Sequence, residues 1–356
     1  MTLTSTPRRS LLANFTAHGW QDLLFDYTMD EPHLGRTPVS PDWQHLALVA
    51  DAVHAASPNI RTLVTTEFCA EFQDATGHCI VPPEVAAANT SGQITLWVPM
   101  MPFVAGRSDI PARGGSGKPP NVHCKDVPFA SQRHRYDFIQ EPERHLWWYL
   151  ACFAEGGCCA GPQWKCTSED RVRLAGSCSV PCFLGWPNYM VDSSAIRNRM
   201  VQWATYRYDM HGELVWDTVA AFSPQLPGMG QPGNNTSQDG LRQDAWEQVL
   251  VAGGNGEGTL WYPGRPDVIG GSTDVPVASL RLKMIREGQE DYEYLRMAER
   301  LCGRDVVLRA MSPVMTTATN YTADPLDIYA TRAVLAAMIA NETLPRSAGK
   351  QVWDRE

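Results

Sequence analysis

Short apolar runs that alternate with helical patterns constrain the fold of this chain more than any other feature. Each run has the length and the aromatic or β-branched content of a buried strand, and apolar residues at helical spacing occur between some of them. Strands that alternate with helices form an α/β fold in which neighbouring strands are parallel. Five such runs occur, near Leu23, Leu63, Leu96, Trp147 and Leu214.

The first run ends in two adjacent carboxylates, Asp30 and Glu31, followed by Pro32. Proline cannot continue a strand ladder, and it favours an extended conformation at Glu31. Two carboxylates this close repel each other, and burial of such a pair favours protonation of one of them, which suits acid–base chemistry. The alternative is a solvated Asp–Glu turn at a strand exit, and this stretch alone does not separate the two interpretations.

Neither a nucleic acid nor a membrane is an expected partner of this chain. The chain has 356 residues, enough for one large domain or two ordinary ones, with a net charge of −9 and a pI near 5.5. No basic block or basic helix face occurs, so no nucleic-acid partner is expected. No apolar run is long enough to span a bilayer, so no membrane partner is expected.

The cysteines are concentrated in one segment, since six of the ten lie between Cys152 and Cys182. None forms a Cys-x-x-Cys pair and no histidine completes a zinc-like spacing, so no metal site is predicted. One or two disulfides are plausible if the compartment is oxidising. Glycosylation sequons agree with secretion, but the N-terminus lacks the apolar core of a signal peptide, so localisation stays open. The sequons lie at Asn14, Asn89, Asn234, Asn235, Asn320 and Asn341.

Three long segments interrupt the alternation, near residues 102–142, 154–187 and 222–240. Segments of this length are usually functional lids or insertions. The glycines before Lys118 do not form a P-loop, because no Ser or Thr follows the lysine. The glycine-rich turn from Gly253 to Gly264 runs into a short apolar piece rather than a helix, so it is not a dinucleotide fingerprint. No cofactor is predicted.

Amphipathic helices are predicted in the second half of the chain. The clearest has Pro276 in its first turn and an apolar face, with Arg281 and Asp291 on its polar side or at its edges. A later helix runs from about Pro325 to Ala340. An earlier helix, before the fifth strand, is predicted to end at Gly212.

Five motifs occur in order between Leu23 and Leu301. They are a strand ending in Asp30–Pro32, a strand with Trp147–Tyr149, the segment Gly212–Trp216, the turn Gly256–Gly264, and a helix with Pro276–Leu282 followed by Arg286–Leu295. In this combination the chain resembles glycoside hydrolase family 123 and its related domain of unknown function 4091. The last helix is the most specific part of the resemblance.

The resemblance implies a fold, a reaction and roles for two residues. The family's fold is a (β/α)8 TIM barrel. Its reaction is hydrolysis of terminal β-linked N-acetylhexosamine by substrate-assisted retention, and the sugar that the resemblance implies is N-acetylgalactosamine. Carried over by position, Glu31 would be the general acid/base, and Asp30 would orient the 2-acetamido group that attacks the anomeric carbon. A carbohydrate, as glycan or glycoconjugate, is then the expected partner. Two alternatives remain, a glycan-binding module without turnover and an inactive barrel fragment.

The resemblance also points to side chains near strand ends, where barrel active sites lie. We expect some of them to stack on a sugar or to hydrogen-bond it, and the alternative for each tryptophan is core packing. Strand alternation directs only one of Trp147 and Trp148 inward, and Trp148 is favoured. The candidate substrate-binding residues are Trp97, Trp148, Tyr149, Trp216 and Asp217.

The predicted strands are fewer than the eight of a closed barrel. We therefore expect an α/β fold of the (β/α)8 type that is incomplete, with about the last five strands present and the first three missing. The expected domains are an N-terminal tail at 1–22, the partial barrel at 23–301 and a helical extension at 302–356. An open sheet exposes an edge, so we expect the chain alone to be poorly soluble or inactive and to pair with a missing barrel half.

Overall fold

The computed structural model describes residues 6–32, 41–66, 91–106, 130–139, 145–150, 185–222, 245–246, 250–251 and 254–340. The chain forms two compact units, Met1–Tyr149 with His211–Leu214 and Leu150–Met210 with Val215–Glu356. The cysteines between Cys152 and Cys182 lie outside the described residues, as do large parts of the three long segments.

A parallel sheet of five strands organises the first unit. Its strands are β1 (Phe25–Met29), β2 (Arg61–Val64), β3 (Leu96–Trp97), β4 (His145–Leu150) and β5 (Gly212–Val215), in this order across the sheet. The five predicted strands and the α/β class with parallel neighbours are therefore confirmed. The curled sheet is compatible with part of a barrel, and the described residues do not form a closed barrel of eight strands.

Three α-helices are described in the first unit, α1 (Thr6–Ala17), α2 (Pro41–Ala56) and α3 (Met101–Ala105), with 3-10 turns at Gln21–Leu23 and Arg133–Ile139. Helix α2 shows why these residues form a packed helix. Trp43, Leu46, Ala50 and Val53 recur at helical spacing, and all four are buried.

Burial changes from the inner strands to the outer strand of the sheet. Leu63, Leu96 and Trp97, on β2 and β3, have no exposed surface, whereas Tyr27 on β1 is 46% exposed. The strand order explains the difference, because β1 lies at an edge of the sheet and β2 and β3 lie inside it.

The two tryptophans of β4 point to opposite faces, as strand alternation predicts. Trp148 is fully buried. Trp147 is partly exposed and packs edge-to-face on Phe25, with ring centroids 5.7 Å apart. A Cβ at Gly212 would lie 2.8 Å from the Trp147 ring, so this ring requires glycine at the start of β5.

The second unit consists of helices and short antiparallel ribbons. Its described helices are α4 (Ala195–Arg207), α5 (Pro266–Ile269), α6 (Leu280–Cys302), α7 (Arg304–Ala310) and α8 (Pro325–Ile339), and a 3-10 turn spans Ala220–Phe222. The ribbons pair β6 (Leu250–Val251) with β7 (Gly254–Asn255), β8 (Trp261–Gly264) with β9 (Val275–Ala278), and β10 (Met315–Thr317) with β11 (Asn320–Tyr321). Among the described helices of the chain, none combines the length and apolarity needed to cross a membrane.

A buried ion pair joins α4 to α6. Arg199 on α4 donates to both carboxylate oxygens of Asp291 on α6, at 2.7 Å for the Nη2–Oδ1 contact, and Trp203 Nε1 donates to Oδ2 at 2.8 Å. Gly288 allows the close approach, because a Cβ there would lie 3.0 Å from the carbonyl oxygen of Arg199. These three hydrogen bonds and the charge of Arg199 offset the cost of removing the Asp291 carboxylate from water.

The structure corrects three predictions about the helices. Pro276 lies in β9, and α6 begins at Leu280 after the cap Ser279, whose Oγ accepts from the Leu282 amide. Gly212 begins β5, whereas the preceding helix ends at Arg207. Arg281 and Asp291 are buried rather than on a polar face. The helical periodicity placed both on the polar face because they are charged. They can be buried because Asp291 pairs with Arg199 and Arg281 donates to backbone carbonyl oxygens.

Candidate active site

Strand ends in the first unit bring four polar side chains together. Asp30 and Glu31 follow β1, Thr65 follows β2, and Tyr149 lies near the end of β4. The carboxyl ends of parallel strands meet at one edge of a sheet, which is where α/β folds place their sites. Hydrogen bonds connect Thr65 to Asp30 and Tyr149 to Glu31.

Asp30 is held as an oriented hydrogen-bond acceptor. Its Oδ1 accepts from the hydroxyl of Tyr27 at 2.7 Å and from Oγ1 of Thr65 at 2.9 Å. Partial burial raises the pKa of Tyr27 above its ordinary value, and the hydrogen bond to Asp30 adds to this shift, so Tyr27 stays a donor. Within the described residues, both hydrogen bonds recorded for this carboxylate use Oδ1, so Oδ2 can accept an N–H from a ligand.

The backbone of Glu31 has a conformation that the sequence did not predict. Its φ is +40°, in the left-handed region, so the predicted extended conformation is wrong. Such a conformation costs a non-glycine residue roughly 1–3 kcal/mol, and it persists where its surroundings hold it. Here the Glu31 amide donates to Thr65 Oγ1 at 2.7 Å, and the register between β1 and β2 shifts just before Met29. Shifts of this kind re-aim side chains next to active sites.

The carboxyl group of Glu31 has one oxygen engaged. The hydroxyl of Tyr149, which is buried, donates to Oε1 at 2.5 Å. In the described part of the chain this carboxyl group makes no other hydrogen bond, so Oε2 is available to a ligand. Both carboxylates are exposed.

This arrangement can move a proton beside a fixed negative charge. Glu31 is accessible and oriented through Tyr149, which are the positional requirements for a general acid/base. Asp30 is oriented by two donors and keeps one oxygen for a ligand. In the described ranges, no three His, Cys, Asp or Glu side chains are arranged as metal ligands.

The other candidate substrate-binding residues differ in their burial and contacts. Tyr149 joins Glu31, as described above. Trp97 and Trp148 have no exposed surface, which agrees with the alternative of core packing, and their contact with a substrate stays a prediction. Trp216 and Asp217 belong to the second unit. There Oδ1 of Asp217 accepts from the amides of Thr218 at 2.6 Å and Val219 at 2.8 Å, which fixes its side chain.

Sequence reasoning missed Tyr27 and Thr65. A signal for Thr65 was present, because a threonine pair follows the second strand just as the carboxylate pair follows the first. Polar residues at the carboxyl end of a neighbouring strand belong to the same edge. Tyr27 gave no comparable signal, since an aromatic residue inside an edge strand is ordinary.

One known family matches the chain in a comparison of sequence profiles. Residues 168–298 match the family described as glycoside hydrolase 123, catalytic domain. The matched range includes Trp216 and Asp217, and it does not include Asp30, Glu31 or Tyr149. A comparison with curated proteins finds no similar sequence. The match supports the resemblance drawn from the motifs: residues 168–298 are similar in sequence to a glycoside hydrolase family 123 catalytic domain.

Proposed function

We propose that this chain is a retaining hydrolase of terminal β-linked N-acetylhexosamine, with N-acetylgalactosamine as the preferred sugar. The family match supports a glycoside hydrolase. The observation that carries the finer proposal is the carboxyl pair itself. The Glu31 carboxyl is held by Tyr149, next to an Asp30 carboxylate held by Tyr27 and Thr65.

In the first step, Oδ2 of Asp30 accepts the N–H of the substrate's 2-acetamido group and orients its carbonyl oxygen. That oxygen forms a bond to the anomeric carbon while the bond to the leaving oxygen breaks. Glu31 gives the proton on Oε2 to the leaving oxygen, and Asp30 stabilises the cationic oxazoline that results.

In the second step, Glu31 acts as a base. It takes a proton from water, and the water oxygen bonds to the anomeric carbon as the oxazoline ring opens. Two displacements at the same carbon restore the original configuration, so the product is the β-anomer.

The adjacency of the two carboxylates favours this reaction over the common schemes. Enzymes that use a carboxylate nucleophile or a water-activating base place two carboxyl groups about 5 to 9.5 Å apart, on either side of the scissile bond. Consecutive residues at one strand end lie on the same side of the sugar. Substrate assistance requires only one acid/base and one acceptor for the acetamide.

The test is a set of initial rates on p-nitrophenyl β-N-acetylgalactosaminide and its N-trifluoroacetyl analogue. The fluorinated amide is a weaker nucleophile, so the wild-type rate should fall with it, and proton NMR should show the β-anomer first. Asp30→Asn should lose most of its rate on the acetamido substrate, whereas the exposed control Asp274→Asn should keep it. An α-anomer as first product, or a rate insensitive to fluorination, contradicts the proposal.

We also propose that β1 pairs with further barrel strands. In the described sheet β1 has β2 as its neighbour and exposes Phe25 and Tyr27, which leaves an edge available for pairing. Barrel strands supplied in a longer chain or as a partner chain should raise both solubility and turnover. A preparation of Met1–Glu356 that is soluble, monomeric and unchanged in rate by such strands contradicts this.

A further inference from the structure

The glycosylation sequons of the chain have no part in the proposed hydrolysis. Six of the eleven asparagines are followed two positions later by Ser or Thr with no proline between, although Ser and Thr make up about one residue in eight of the chain. At that frequency, chance would give one or two such asparagines. The excess indicates that the sequons are glycan acceptors rather than accidental matches.

The burial of the described asparagines agrees with this interpretation. Asn14 and Asn320 belong to sequons, and both are exposed. Asn188 and Asn198 are only 2% and 3% exposed, and neither belongs to a sequon. An N-linked glycan is bulky and must extend into solvent, so only an exposed amide can carry it. The sequons in the described part of the chain therefore lie where a glycan is compatible with the fold.

Asn320 is better placed than Asn14 to accept a glycan. It begins β11, directly after the turn that joins β10 to β11, whereas Asn14 lies within helix α1. Sequons that accept a glycan are typical of surface loops and turns. The transferring enzyme holds its acceptor in an extended conformation, which β11 has in the fold and which a helix reaches only by unwinding.

The hydrogen bonds of this sequon are compatible with the modification. Nδ2 of Asn320 donates to Oγ1 of Thr316 at 2.8 Å, and the amide has two N–H bonds, so it remains a donor after a glycan replaces one hydrogen. The hydroxyl of Thr322, the third residue of the sequon, donates to Asp327 at 2.5 Å and accepts from the Asp324 amide at 2.9 Å. These contacts hold the start of α8 and do not use the Asn320 amide.

We propose that Asn320 is an N-glycosylation site. The co-reactant is a lipid-linked oligosaccharide pyrophosphate. A bond forms between Nδ2 of Asn320 and the anomeric carbon of the first sugar, and the bond from that carbon to the pyrophosphate oxygen breaks. The lipid pyrophosphate leaves with the electron pair, and the amide nitrogen gives one proton to a base of the transferring enzyme. This transfer takes place in the oxidising lumen of the secretory pathway, a location that permits the disulfides expected between Cys152 and Cys182.

The first test is the electrophoretic mobility of the full chain, translated with an added signal peptide in the presence of microsomes. Asn320→Gln should lose one glycan relative to wild type, because glutamine is not an acceptor. Asn59→Gln is the matched control, since Asn59 is exposed and lies outside any sequon, and it should match wild type. Transfer precedes folding, so the mobility reports on the site whether or not a variant folds. Equal mobility of Asn320→Gln and wild type overturns the proposal.

The hydroxyl of Thr322 provides a second variant pair that leaves Asn320 in place. Thr322→Ala should lose the same glycan, and Thr322→Ser should keep it at lower occupancy, because serine is the weaker third residue of a sequon. A glycan retained in Thr322→Ala contradicts the assignment.

The second test is peptide mapping of the protein isolated from the cells that naturally make it. Treatment with peptide N-glycosidase in heavy-oxygen water converts a glycosylated asparagine to labelled aspartate. Labelled aspartate at position 320 supports the proposal. Unlabelled Asn320 in the mapped peptide overturns it, even where another sequon of the chain is labelled.

Discussion

Replacing Thr65 by valine should disable the site while the side chain keeps its shape. Thr65 is 1% exposed. Its hydroxyl donates to Asp30 at 2.9 Å and accepts from the Glu31 amide at 2.7 Å, and the oxygen of Tyr27, whose proton is donated to Asp30, lies 3.2 Å from it. Valine replaces the hydroxyl by a methyl group and removes all three contacts. Thr65 therefore tests whether the two carboxylates are positioned as one unit.

The magnitude follows from these contacts. A hydrogen bond to a charged group contributes about 1.5–3 kcal/mol, and a buried amide left without an acceptor costs about 1–3 kcal/mol. Tyr27 still donates to Asp30 in the variant, so we expect a net loss of about 2–3 kcal/mol. If half or more of that loss falls on the transition state, kcat/KM decreases by roughly tenfold to a hundredfold.

The assay is kcat/KM on a chromogenic N-acetylgalactosaminide, together with urea unfolding. Thr66→Val is the matched control, because Thr66 is also buried and its hydroxyl has no recorded hydrogen bond in the described residues. It should stay within about twofold of wild type. Thr65→Ser should recover most of the rate, since it restores the hydroxyl. A Thr65→Val enzyme with unchanged kcat/KM would refute the reasoning.

Three further predictions concern backbone strain, helix packing and pH. Glu31→Gly should be about 1 kcal/mol more stable than Glu31→Ala in urea unfolding, because glycine accepts the φ of +40° and alanine does not; equal stabilities would argue against strain. Gly288→Ala should destabilise the chain by about 1 kcal/mol, since overpacking against the Arg199 carbonyl exceeds the gain in helix propensity; an unchanged midpoint would contradict this. Burial, with the nearby charge of Arg61, lowers the pKa of His145 from 6.5 to about 4. As the pH falls from 6.5 to 4, His145 is therefore protonated in the unfolded chain while it is still neutral in the folded chain. Stability should therefore decrease over that interval, and His145→Gln should flatten the decrease; the same slope in both proteins would rule out His145 as its source.

The sheet and the strand-end location of the carboxylates could be predicted from the sequence because both depend on local patterns. Apolar runs mark strands, helical spacing between them implies parallel neighbours, and parallel strands bring their carboxyl ends together. This reasoning placed Asp30, Glu31 and Tyr149 at one edge, where hydrogen bonds now connect Glu31 to Tyr149.

The rest depends on contacts between residues far apart in sequence. The left-handed backbone of Glu31 is supported by Thr65, which lies on the next strand, and no local rule predicts that bond. The helical periodicity assigned Arg281 and Asp291 to a polar face. In the structure both are buried, because carbonyl oxygens accept hydrogen bonds from Arg281 and Arg199 pairs with Asp291. A charged residue can be assigned to the core only when its partner is known.

The central claim is that Glu31 donates a proton to the leaving oxygen. The most direct test is the kcat/KM of Glu31→Gln on two β-N-acetylgalactosaminides, one with a poor leaving group and one with a good leaving group. A general acid matters most when the leaving oxygen is basic, so the loss should be about 10²–10⁴-fold for a methylumbelliferyl glycoside and much smaller for a dinitrophenyl glycoside. The exposed control Glu293→Gln should match wild type on both. Wild-type rates for Glu31→Gln on both substrates, or equal losses on both, would contradict the assignment of Glu31 as the proton donor.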